Sequence, residues 1–173
     1  MSSLLLVFMV LTGYGSWENI GPEGGEITAL VQSTQDPSHL YAVSGSNPSM
    51  VLFSGDNGES WESIGSFTGG TVYDMTMTQS GILVALGTSR VWRSTDGGYN
   101  WSTAYVSNTY FYQGTSHPTD GNTLFATGYR YIDSYWRIAF LKSTDGGQNW
   151  SATQLTYSST HAYGRSIGVS QSD

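Results

Sequence analysis

The chain has no cysteine, a single lysine (Lys142), and charged side chains at only 11% of its 173 positions. Without cysteine there are no disulfides, no thiol nucleophiles and no Cys-based zinc sites, while an export route that needs no disulfides stays open. Six Lys and Arg stand against 13 Asp and Glu, for a net charge of −7. Basic runs are absent, which excludes the clustered phosphate contacts that nucleic acid or an anionic membrane surface requires. Helical patterning is missing too: after the first dozen residues no window keeps apolar residues at i, i+3, i+4 and i+7. Low charge does not imply disorder here, because 38% hydrophobic residues suffice to bury a core.

What is abundant is glycine and aromatics: 22 Gly, 12 Tyr, 6 Trp and 6 Phe. That mixture favours strands and tight turns. The first residues are different material. Leu4 to Leu11 is an uninterrupted apolar run, and Gly13 and Gly15 place small side chains before a cut after Gly15. A signal peptide over residues 1–15 is expected, the run being too short to cross a bilayer as a helix of ~20 residues. Met1-Ser2-Ser3 carries no basic residue, and the other reading is a buried first strand. The expected location is secreted, extracellular or periplasmic, with no membrane span after cleavage.

One eight-residue phrase occurs three times, as Ser54–Trp61, Ser94–Trp101 and Ser143–Trp150. Each copy fits Ser-x-Asp-x-Gly-x-x-Trp, and their starts lie 40 and 49 residues apart. Its surroundings repeat as well. Leu52-Phe53, Val91-Trp92-Arg93 and Phe140-Leu141-Lys142 run into the phrase, and Leu40–Val43, Ile82–Leu86 and Leu124–Thr127 precede them. Further upstream lie Ile27–Val31, Val72–Met77 and Tyr110–Gln113, with turn sequences at Asp36-Pro37, Gln79–Gly81 and His117–Gly121. Four short strands every 40 to 50 residues is the signature of a β-propeller blade. The expected fold is therefore all-β, in blades of four antiparallel strands, with blades near residues 25–66, 70–107 and 109–157.

The residues of the phrase each have a structural task. Asp56, Asp96 and Asp145 can accept backbone N–H groups of a tight turn. Gly58, Gly98 and Gly147 can take the positive φ that such a turn needs. The hydroxyls of Ser54, Ser94 and Ser143 can bond nearby backbone. Trp61, Trp101 and Trp150 begin the fourth strand and can pack between blades, burying about 150–250 Å² each. The phrase resembles the Asp-box (BNR) repeat of sialidases, sortilin-like luminal domains and xyloglucan-cleaving glycoside hydrolases, over residues 16–173.

Both ends extend the pattern. Ser16-Trp17-Glu18-Asn19-Ile20-Gly21 matches Ser60-Trp61-Glu62-Ser63-Ile64-Gly65, as an outer strand without its own blade. Residues 162–173 read as the first strand of a further blade. The expectation is a fragment of a longer propeller whose remaining blades belong to the same polypeptide; the alternative is self-association of copies.

The resemblance implies catalytic positions that can be checked. Sialidases place an arginine in an Arg-Ile-Pro context before the first box, and no arginine occurs here before Arg90. The xyloglucan-cleaving enzymes place a carboxylate base after the second strand of the first blade, where this chain has Ala42-Val43-Ser44-Gly45-Ser46. No catalytic residue is assigned. Asp74, on a channel-lining first strand, is a candidate ligand residue or else a solvated channel carboxylate. Arg130, Tyr131, Tyr135 and Trp136 lie in an aromatic insertion suited to stacking on sugar or peptide, or else to an extended hairpin packed partly inward. His39, His117 and His161 are dispersed, so no metal site and no cofactor is expected. The function expected is a secreted, non-catalytic binding or scaffold module for carbohydrate or protein. The alternative is the N-terminal part of a glycoside hydrolase with catalytic carboxylates partly outside this chain.

Overall fold

A computed structural model describes residues 26–45, 47–154 and 163–170. The expected leader, the unpaired strand at 16–21 and His161 lie outside these residues. Among them there is no helix, and every paired strand is antiparallel. Strands β1 (Ile27–Gln32), β2 (Leu40–Ser44), β3 (Met50–Ser54) and β4 (Glu62–Ser66) form one sheet in that order. Strands β5 (Val72–Met77), β6 (Leu83–Ser94), β7 (Ser102–Ser116), β8 (Leu124–Ile132), β9 (Tyr135–Ser143) and β10 (Ser151–Gln154) follow in sequence order as a second, six-stranded sheet.

Two long runs differ from the separate short strands expected. In β6 the first half, Leu83–Gly87, pairs with β5, while Arg90–Arg93 pairs with β7. Ser89 sits between them at φ 61. In β7, Ser102–Val106 pairs with β6 and Thr109–Ser116 pairs with β8. No glycine or proline interrupts 102–113, so the outer strand of the second blade runs on into the inner strand of the third. Each run thus holds two of the expected strands. The chain is built of β-propeller blades: β1–β4; β5, β6 and the start of β7; the rest of β7 with β8–β10. Residues 163–170, expected as the first strand of a further blade, form no strand.

The core lies between blades. One apolar cluster joins Ala29, Tyr41, Val43 and Val51 of the first blade to Met75, Met77, Leu83, Ala85 and Trp92 of the second. A second joins Val84, Leu86 and Val91 to Phe111, Leu124, Ala126 and Leu141. Successive residues of β6 enter different clusters, because side chains alternate faces and this sheet is covered on both. Each fully buried leucine here contributes about 1.5–3 kcal/mol.

Polar contacts tie the blades along two levels. Near the inner strands, the Thr28 hydroxyl donates to Val72 O at 3.1 Å. At the turns after the inner strands, Thr34 Oγ1 donates to Thr78 O at 2.8 Å, and Ser80 Oγ to Gly121 O at 3.0 Å. Gly128 is required where β8 crosses β7: a Cβ there would collide with the Tyr110 carbonyl oxygen.

Candidate functional site

The three repeated turns are the same object. Each Ser hydroxyl donates to Oδ1 of its Asp, at 2.7, 2.8 and 2.9 Å for Ser54, Ser94 and Ser143. That same hydroxyl oxygen accepts the N–H of Gly58, Gly98 or Gly147 at 2.8–2.9 Å. The Asp carboxylate then receives the N–H of Ser60, Asn100 or Asn149 at 2.9–3.0 Å, and their side chains as well. Trp61, Trp101 and Trp150 close the turn by donating their indole N–H to the glycine carbonyl. The glycines sit at φ 89, 89 and 80, a region costly for any residue with a Cβ.

Donors crowd these carboxylates and hold them low. Asp56 is brought down to about 2, first by the Ser60 hydroxyl and then by its N–H. Asp96 and Asp145 move in the same direction, led by the backbone N–H of Asn100 and of Asn149. Every oxygen is engaged in closing the turn. Such groups are poor acids or bases for catalysis.

At the opposite end of the strands lies an aromatic cluster. β8 and β9 form an extended hairpin in which Tyr131 faces Trp136 and Arg130 faces Arg137. Alternation along the pleat puts Tyr129, Tyr131 and Trp136 on one face and Arg130, Tyr135 and Arg137 on the other. The four residues picked from the sequence therefore divide: Tyr131 and Trp136 share one face, and Arg130 and Tyr135 share the other. The guanidinium of Arg137 lies 4.9 Å from the Tyr135 ring centre.

Sequence reasoning missed the rest of the cluster. Tyr73 stacks on Tyr112 at 4.8 Å, and Tyr112 stacks on Tyr129 at 5.1 Å. Tyr110 stacks on Tyr129 at 5.6 Å, and Trp136 meets Tyr129 edge-on at 4.9 Å. Tyr163 adds a further edge contact to Tyr129, and Arg165 lies over Tyr112. The Tyr112 and Tyr129 hydroxyls are 2.7 Å apart. Burial, and then that hydrogen bond, pushes the Tyr112 phenol up. The usable signal was the alternation Tyr110-x-Tyr112 and Tyr129-x-Tyr131, which marks one face of each strand. Tyr131 is 52% exposed, and Tyr163, which meets the Tyr129 and Trp136 rings, is exposed as well.

Asp74 does not join this hairpin. It lies on β5, where its Oδ2 accepts Gly114 N–H at 2.8 Å from the next blade. Burial pushes its carboxyl up, against the opposing pull of the Gly114 and Met75 N–H groups. Among the described residues no group of three or more His, Asp or Glu could hold a metal ion. No described helix is long and apolar enough to cross a membrane.

No protein-family model matches the chain, and no curated protein matches it in sequence. Solved structures do. YCF48 from Cyanidioschyzon merolae superposes with a TM-score of 0.60 at 22% identity, over 80% of this chain and 40% of that one. The GH74 xyloglucanase of Xanthomonas campestris gives 0.58 at 18% identity, over 73% of this chain and 21% of that one. A chain of the nidogen/laminin complex gives 0.59 at 14% identity, over 74% and 48%. This chain thus spans less than half the length of each. At such identities the likeness establishes the fold alone, that of β-propeller blades.

Proposed function

We propose that the chain is a secreted, non-catalytic propeller module that binds carbohydrate or protein through its aromatic end. The observation that carries this reading is the β8–β9 hairpin, with Tyr131 half exposed beside Trp136 on a base of stacked tyrosines. Rigid aromatic side chains give large contact area at small entropic cost, which suits them to stacking on sugar rings or anchoring a partner protein. The repeated carboxylates are absorbed in turns, which supports a module without chemistry of its own. Secretion rests on the apolar run at residues 4–11.

The test is titration of the purified chain with xyloglucan oligosaccharides and with laminin, followed by tryptophan fluorescence. Those probes are chosen from what two structural neighbours act on or assemble with. Saturable binding by the wild type, weakened at least tenfold by Tyr131→Ala, is expected. Binding that Tyr131→Ala and Trp136→Ala both leave intact rejects the site. Release of new reducing ends from xyloglucan would reject the non-catalytic half of the reading. It would turn attention to Asp74, whose raised carboxyl is the one observation favouring part of a glycoside hydrolase.

A further inference from the structure

Four of the five arginines gather at the hairpin end of the strands. Arg90 follows the bend at Ser89 in β6, Arg130 and Arg137 pair across the β8–β9 hairpin, and Arg165 lies over the Tyr112 ring. The fifth, Arg93, sits just before a repeated turn and donates its Nε–H to the Gly146 carbonyl of the third blade at 2.7 Å. The acids are placed the other way. Asp36, Asp56, Asp96, Asp120 and Asp145 occupy turns at the far end, each held by donors of its own turn. A five-residue strand such as β2 sets the two ends about 17 Å apart. That is roughly twice the ~8 Å screening length of physiological salt. The net charge of −7 therefore does not describe the hairpin end, where Glu26 lies ahead of β1 and Asp133 in the hairpin turn.

Arg165 is the arginine that meets the aromatic cluster, and its segment is pinned on both sides. Tyr163 rests edge-on against Tyr129 at 4.9 Å, and Ile167 N–H donates to Gln113 Oε1 at 2.9 Å. Gly164 is buried, so close to the third blade that a Cβ would collide with Thr127 Oγ1 and the Gly128 carbonyl. Arg165 itself is exposed, with its guanidinium 5.9 Å from the Tyr112 ring centre. It makes no hydrogen bond or ion pair among the described residues. Burial, then the bond to Tyr129, raises the Tyr112 phenol, and the positive charge of Arg165 pulls against both.

The polar groups beside it are mostly donors. Tyr112 and Tyr129 share one hydrogen bond at 2.7 Å, so one of their two O–H protons is engaged and one is left to donate. Thr88 Oγ1 donates to the Tyr73 hydroxyl at 3.1 Å, which leaves the Tyr73 proton to donate as well. Asp74, next in the chain, is committed to Gly114 N–H. No carboxylate is bonded to these phenols or to Arg165 among the described residues. Carboxylates and sulfates are acceptors only, and a carboxylate meets a guanidinium fork with two parallel bonds. β7 and β8, which carry Tyr112 and Tyr129, are each paired on both sides, so no strand edge is open there for an extended peptide to join.

We infer that the aromatic end binds an acidic carbohydrate, with Arg165 and the Tyr112–Tyr129 hydroxyls holding its carboxylate or sulfate while Tyr131 and Trp136 stack on a neighbouring sugar ring. Trp136 reaches Tyr112 through one intervening ring, Tyr129, so both features fit one short oligosaccharide. This rests on the reading of that end as a binding surface and adds the charge of the ligand.

The test is calorimetry on the full chain with three tetrasaccharides: tetragalacturonate for the carboxylate, a carrageenan fragment for the sulfate, and neutral galactotetraose. At low ionic strength at least one acidic sugar should bind about tenfold tighter than the neutral one. That advantage should vanish near ~1 M salt, where the screening length falls to ~3 Å. Arg165→Gln should bring the acidic sugar down to the affinity of the neutral one. Arg165→Lys should retain part of the difference, because it keeps the charge and loses the fork. Equal affinities for acidic and neutral sugars, weakened together by Tyr131→Ala, overturn the inference and leave the binding module standing. Acidic-sugar binding that Arg165→Gln leaves intact overturns it as well. Short polyglutamate bound as tightly as the acidic sugars overturns the choice of carbohydrate. Absence of binding to all three sugars overturns the inference, while the laminin titration still decides the module.

Discussion

Asp74 on β5 holds Gly114 of β7 through a 2.8 Å hydrogen bond that crosses from the second blade to the third. Burial raises this carboxyl. A raised carboxyl favours the folded state most where it is protonated, below its ordinary value of 3.8, and that gain is lost as pH rises through the shifted value. Two substitutions separate acceptor from charge. Asp74→Asn keeps an acceptor for Gly114 N–H and removes the desolvated charge, so thermal stability at pH 7 should hold or rise. Asp74→Leu leaves the amide unsatisfied and should cost about 1–3 kcal/mol in urea unfolding. Equal losses in both variants would show that the charge itself matters, and would return Asp74 to the list of ligand residues.

The repeated turns titrate the other way. The carboxylates of Asp56, Asp96 and Asp145 are held below their ordinary value of 3.8, Asp56 at about 2. Lowered carboxylates stabilise the fold fully above their unfolded value and lose that contribution as pH falls through the folded one. The melting temperature should therefore drop between about pH 4 and pH 2. Asp145→Ala should flatten that drop. A melting temperature that is level or rising through this window would contradict the hydrogen bonding described for all three turns.

Within each turn the serine matters in a different way. Ser143 is buried, and its hydroxyl both accepts Gly147 N–H and donates to Asp145. Ser143→Ala strips a buried N–H of its acceptor and should cost about 1–3 kcal/mol, with Ser94→Ala behaving alike. Ligand binding by the folded fraction should not change, because these turns lie at the end of the strands away from Tyr131. A variant that folds as the wild type but fails to bind would move the site to the turns.

The turns and the strand order were legible because they depend on local sequence. Serine, aspartate, glycine and tryptophan at fixed offsets specify their own hydrogen bonds. The long runs β6 and β7 were not legible as such: the repeat marks separate short strands around each turn, whereas nothing between Tyr105 and Tyr110 stops an extended chain. The aromatic cluster was half legible. Tyr131 and Trp136 stood out in one insertion, whereas Tyr73, Tyr112 and Tyr129 come from three strands, Tyr112 and Tyr129 of the third blade and Tyr73 of the second, and meet only once those blades pack. The role of Arg93 was invisible for the same reason, its acceptor lying 53 residues away in another blade.

The hairpin that carries Tyr131 and Trp136 is itself strained at its tip. Asp133 and Ser134 connect β8 to β9 at φ 49 and φ 67. Both values lie in the left-handed region, which costs residues with a Cβ roughly 1–2 kcal/mol. Two-residue hairpins of this geometry prefer Asn-Gly, where asparagine tolerates the first position and glycine is unstrained at the second. Replacing Asp133-Ser134 with Asn-Gly should therefore stabilise the chain by about 0.5–1 kcal/mol, less than the relieved strain because glycine loses more entropy on folding. The same variant should bind any ligand of the aromatic face as the wild type does, since both residues lie in the turn and outside the paired strands that form that face. Equilibrium unfolding in urea, read beside the binding titration, separates the two outcomes. A higher midpoint with unchanged affinity supports a tip that only closes the hairpin, and lost affinity would make Asp133 or Ser134 part of the site.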